Sequence, residues 1–147
     1  MNIPSVLRLT CAALAFSAAA PASADEPADV VTPAFQKQIP NIPGKTLSAV
    51  IVDYPPGGAS AAHEHAKSAF IFAYVISGKI ESKVNDGPTQ VFRAGESWYE
   101  PPASKHPVSR NASKTEPAKL LAVVIADTGE TSLTTPVDQP TPKGHKQ

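Results

Sequence analysis

Residues 57–78 read GGASAAHEHAKSAFIFAYVISG, and a second stretch, residues 95–111, reads GESWYEPPASKHPVSRN. In the first, a glycine pair leads into His63-Glu64-His65 and then into an apolar run over residues 69–77 that closes on Gly78. A run of that length, rich in β-branched and aromatic residues and bounded by turn formers, reads as a strand. Side chains alternate along a strand, so His63 and His65 share one face there and Glu64 takes the other. Outward from this stretch the same texture repeats over residues 46–53 (TLSAVIVD), 79–84 (KIESKV), 89–93 (TQVFR), 97–100 (SWYE) and 119–127 (KLLAVVIAD). Between them stand turn signals: Pro55-Pro56-Gly57-Gly58, Asn85-Asp86-Gly87-Pro88, Ala94-Gly95 and Pro101-Pro102. Sixteen prolines spread along the chain leave no room for long helices, since each removes a backbone donor and restricts its predecessor. The pattern predicts an all-β sandwich or barrel in a single domain.

The ends read differently. Arg8 followed by the short apolar stretch LTCAALAFSAAA, with Ala22-Ser23-Ala24 behind it, fits a signal peptide over residues 1–24 cut after Ala24. Export to the periplasm or beyond is the expectation, and it leaves Asp25 as the first residue. Residues 25–44 read as an arm laid over a barrel of residues 45–130. Residues 131–147 read as a disordered tail, because TTPVDQPTPKGHKQ carries too little apolar surface to offset its ordering entropy. Removing residues 1–24 takes away Arg8 and the only cysteine, Cys11, leaving 12 basic against 13 acidic side chains. That balance gives no attraction to nucleic acid or, once the signal is gone, to a membrane. Without cysteine, any metal must be held by nitrogen and oxygen.

Three of the four histidines, His63, His65 and His106, fall inside the two quoted segments, while His145 lies in the tail. Gly57, five residues, then His63-x-His65, with Gly78 beyond, and Gly95, five residues, then Pro101, His106 and Asn111, resemble the two signature motifs of the cupin family. The resemblance covers residues 45 to 127 and implies a cupin-type jelly-roll β-barrel in which His63, His65 and His106 converge on one divalent ion (Fe, Mn, Ni, Cu or Zn). Two departures stand out. Where the first motif carries a glutamate, seven positions before Gly78, this chain has Ile71, and residues 66–74 contain no acid. The glycine of the second motif's P-x-G is Ala103, and four residues rather than three separate His106 from the asparagine.

Three readings of the missing acid remain open: a working three-histidine site, replacement of the acid by Glu100, or a decayed site that only binds. Ile71, Ala73, Trp98 and Tyr99 are the candidate pocket residues. If Ile71 faces the metal, alternation sends Phe70, Phe72 and Tyr74 to the outer face or into a homodimer contact. Functionally the resemblance implies a metalloenzyme of dioxygenase type, acting on a small anionic or chelating molecule. The alternative is a non-catalytic small-molecule or metal-binding cupin of the periplasm.

Overall fold

The structure is a computed structural model that describes residues 27–137; the expected signal peptide and residues 138–147 lie outside that range. Eleven strands and no helix occur among the described residues: β1 (Val30–Gln38), β2 (Lys45–Tyr54), β3 (His63–His65), β4 (Phe70–Ser77), β5 (Lys79–Lys83), β6 (Gln90–Arg93), β7 (Ser97–Glu100), β8 (Lys105–His106), β9 (Val108–Asn111), β10 (Ala118–Asp127) and β11 (Thr134–Pro136). They pair antiparallel in three sheets with strand orders β1-β2-β10-β4-β7, β11-β3-β8 and β6-β5-β9. This is the all-β barrel that the alternating runs predict.

Alternation decides what faces inward. Along β4, Ile71, Ala73 and Val75 are buried while Phe70, Phe72, Tyr74 and Ile76 stay exposed. Ile80 and Ser82 on β5, and Leu120, Val124 and Ala126 on β10, complete the same inner surface. One core cluster gathers Val52, Tyr54, Ala73, Val75, Ile80, Ala118 and Leu120, and a second gathers Ala69, Ile71, Val124 and Ala126. Gly78 joins β4 to β5 at φ +74, where an added Cβ would lie 2.7 Å from the Pro117 carbonyl oxygen and 2.7 Å from Ala118 Cβ, so conformation and space both demand glycine.

Two boundaries differ from the sequence expectation. The middle of the predicted arm, Val30–Gln38, is β1, the edge strand of the five-stranded sheet, with a register shift between Pro33 and Phe35. An edge strand tolerates Pro33 because one side of it needs no ladder donor. The barrel also does not stop at residue 130. Thr134–Pro136 forms β11 against β3, so the start of the predicted tail runs alongside His63 and His65.

Candidate metal centre

The short strand β3 carries His63 and His65, and β8 carries His106 directly opposite His63 in register. Their ligand atoms all lie within 4.8 Å of one another, and His106 is 4 % exposed. A cluster of that span would close on a single ion through small side-chain movements. Pro101, Ala103 and Ser104 form the turn before β8; Ala103 adopts φ 59 at the position where the cupin motif has glycine.

Glu100 completes the group. It ends β7, and the β4–β7 register pairs it with Ile71. Residues directly opposite in an antiparallel pair share a face, so Glu100 occupies the side of the barrel where Ile71 stands in for the motif's acid. Its side chain is buried, with Oε2 2.7 Å from His65 Nε2 and Oε1 3.3 Å from His106 Nδ1. Trp98 Nε1 donates to Oε1 at 3.1 Å.

The ring orientations are set from behind. His63 Nδ1 lies 2.8 Å from the Ala61 carbonyl oxygen and must donate to it, which leaves Nε2 as a bare acceptor. His106 Nε2 lies 2.9 Å from Ser82 Oγ, which leaves Nδ1 toward Glu100. Burial lowers the pKa of His63, and it carries that of His106 down to about 4 against the opposing pull of Glu100. Burial pushes Glu100 up, but His65, His106 and Trp98 together bring it below the ordinary carboxylate range. At neutral pH the group therefore offers neutral imidazoles at His63 and His106 beside an ionised carboxylate.

This donor set fits a divalent ion. His65 Nε2 and Glu100 Oε2 form an ion-pair contact at 2.7 Å, and neither of these two atoms, both shut off from water, has a further hydrogen-bond partner. Leaving two buried polar atoms unsatisfied is costly unless a further group serves both. A cation would do so by accepting a lone pair from each.

The group lies on the wall of a cavity of about 400 Å³. Val31, Val50, Val52, Ile71, Leu120, Val124 and Leu133 supply its apolar lining. Polar lining comes from Asp29, Tyr54, Ser60 and Ser109, none of which was singled out in the sequence. Ser60 Oγ donates to Asp29 Oδ2 at 2.5 Å, and the Tyr54 hydroxyl bonds Ser60 and Ser109 at 2.8 Å each. Alternation along β2 could have signalled Tyr54, which follows Val50 and Val52 at spacing two. A larger depression of about 790 Å³ follows the β1–β2 turn but gathers no histidine or carboxylate.

Of the predicted pocket residues, Ile71 and Ala73 line this cavity, whereas Trp98 and Tyr99 do not. Trp98 packs on Phe92 with ring centroids 4.5 Å apart and supports Glu100 from behind. Tyr99 is 64 % exposed, because the face that turns Glu100 and Trp98 inward turns Tyr99 outward onto Phe70. Asn111 is no ligand: its side chain ties the Pro55 and Glu116 carbonyls together, at 3.0 and 2.7 Å. Lys105 is exposed, and Arg110 donates to Glu81 at 2.8 Å.

Comparison with known proteins agrees with this architecture. The family model for the cupin domain matches residues 50–124. A double-stranded β-helix protein from Klebsiella pneumoniae superposes with a TM-score of 0.59 at 20 % identity, covering 76 % of this chain and 85 % of its own. The cupin domain of Schizosaccharomyces pombe Cnp3 gives 0.56 at 21 %, covering 72 % and 66 %. An oxalate oxidase solved with the substrate analogue glycolate gives 0.52 at 23 %, covering 67 % and 54 %. A search of curated proteins finds no match by sequence. The family match spans half of the chain and contains both strands that carry the three clustered histidines, and on that ground the chain belongs to the cupin family.

Proposed function

We propose that this protein is a metal-dependent cupin in which His63, His65, His106 and Glu100 hold one divalent transition-metal ion, with the adjoining cavity receiving a small organic molecule. The observation that carries the reading is Glu100: a buried carboxylate opposite Ile71, with an oxygen that lacks a hydrogen-bond partner against an equally unpartnered His65 nitrogen. Three imidazoles and one carboxylate suit Fe, Mn, Ni, Cu or Zn rather than Mg or Ca. When bound, the ion would supply Lewis acidity or, if redox-active, electron transfer.

The chain's own residues do the rest. Ala61 and Ser82 orient His63 and His106, Trp98 holds one oxygen of Glu100, and the aliphatic wall excludes water from the ligand. Burial keeps the Tyr54 phenol protonated above its ordinary 10, so it is available as a hydrogen-bond donor within the cavity. A dioxygenase-type oxidation is the enzymatic form of this proposal, and the predicted export sets its site of action in the periplasm or outside the cell.

The apolar outer row that joins Phe35, Ala49, Val123, Phe72 and Tyr99 across the five-stranded sheet supports a homodimer, since such a row is a ready contact surface. Sedimentation of the tag-free protein with and without Phe72→Glu tests that part. For the site itself, elemental analysis of protein purified without an affinity tag should find about one transition-metal ion per chain. His63→Ala, His65→Ala and His106→Ala should each lose most of it, while His145→Ala should not. Oxygen uptake against small organic acids, catechols and thiols then separates an oxidase or oxygenase from a binder; metal-free parent protein would sink the reading.

A further inference from the structure

The charged side chains of the cavity wall have one sign. Its wall contains two carboxylates, Asp29 and Glu100, and among the described residues no lysine or arginine lines it. Glu100 is 2 % exposed and one of its oxygens has no hydrogen-bond partner. Asp29 sits on a different wall, just before β1, and Ser60 fixes its carboxylate by donating to Oδ2. Even with a divalent ion beside Glu100, no basic side chain of the wall offsets the Asp29 carboxylate, whose neighbours are the Ser60 and Tyr54 hydroxyls and the aliphatic lining. Low-dielectric walls focus such a charge instead of dispersing it.

We propose that the cavity is selective for small molecules bearing a weakly hydrated cation, such as a methylated ammonium, placed against Asp29, and that it discriminates against dianions. The choice of cation follows from the lining. The hydroxyls of Ser60, Tyr54 and Ser109 are engaged with one another and with Asp29, and Val31, Val50, Val52 and Leu133 cannot replace the hydration shell of a primary ammonium with hydrogen bonds, whereas a methylated head meets them with apolar surface and still feels the carboxylate. A dicarboxylate would meet Asp29 with no basic residue to compensate. The inference uses the metal reading only for the other end of the ligand: a molecule that joins such a cation to a carboxylate would span Asp29 and the ion.

The test uses pairs in which a quaternary nitrogen is replaced by carbon at constant shape. Metal-free protein is titrated by NMR with choline, with 3,3-dimethylbutan-1-ol and with succinate; metal-loaded protein is titrated with glycine betaine and 3,3-dimethylbutanoate. One unit charge about 5 Å from a partly screened carboxylate predicts a preference of about tenfold for each cation over its carbon isostere. Succinate should bind the metal-free protein more weakly than choline. Asp29→Asn should reduce the betaine preference to about twofold while metal content stays at the parent level. Equal affinity within the pairs, an unchanged ratio in Asp29→Asn, or no binding of either cation at about 50 mM would overturn the proposal. If the protein takes up no metal, the metal reading fails separately, and the choline pair still decides the charge selectivity.

Discussion

Acidifying the metal-free protein should destabilise it well above the pH at which ordinary carboxylates titrate, and His106 sets the size of the effect. Buried at 4 % exposure, its imidazole has a pKa of about 4 in the fold, against about 6.5 in the unfolded chain. Between those values the unfolded state binds more protons than the native one, so stability falls as pH falls, and the loss levels off below about 4. From pH 7 to pH 5 the His106 share is about 2 kcal/mol. For a domain of this size that is a drop of about 10 °C in Tm. His63, whose pKa burial also lowers, adds in the same direction. Glu100 acts later: its lowered folded pKa contributes stability above the ordinary carboxylate range that disappears as pH falls through the folded value. Urea unfolding at pH 7 and pH 5 with a chelator present measures the total, and His106→Gln should remove about 2 kcal/mol of the difference. Equal stabilities at the two pH values, or a pH difference that survives in His106→Gln, would refute the argument.

Three further outcomes follow from particular positions. Gly78→Ala should cost at least about 2 kcal/mol, read by urea unfolding, because it adds a Cβ 2.7 Å from a backbone carbonyl at a positive φ. Ala103→Gly should stabilise by up to about 1 kcal/mol, since Ala103 already holds φ 59 at the turn before β8; a destabilised variant would show that the Ala103 methyl packs usefully. Mass spectrometry of the protein recovered from the periplasm should give a chain starting at or near Asp25, and intact Met1 there would contradict the proposed export.

Much of the barrel was legible because its longer strands are short runs rich in β-branched and aromatic residues bounded by turn formers, and along β4 every second side chain from Ile71 to Val75 is buried. The strands that sequence reading missed lack that signal. β8 has two residues, β9 four and both flank Pro107, while β1 is exposed throughout and shifts register after Pro33. β11 was read as tail because its stability comes from pairing with β3, not from apolar content. At the site, spacing alone put His63 and His65 on one face. Whether Glu100 points inward depends on the register between β4 and β7, a long-range property that no local pattern encodes. The same holds for Asp29, Tyr54, Ser60 and Ser109, which meet only when β1, β2 and β9 close around one cavity.

The notion that the cupin acid has moved across the strand pair, from the Ile71 position to Glu100, makes a demand that a chance buried glutamate would not meet. Metal affinity should be measured by calorimetry or a competing chelator on the parent, on Glu100→Gln and on the exchange variant Ile71→Glu/Glu100→Ile. Loss of the carboxylate should weaken binding by about 100-fold. The exchange, which returns a carboxylate from the directly opposed backbone position, should recover affinity to within about tenfold of the parent. Parent-like affinity in Glu100→Gln would contradict the account.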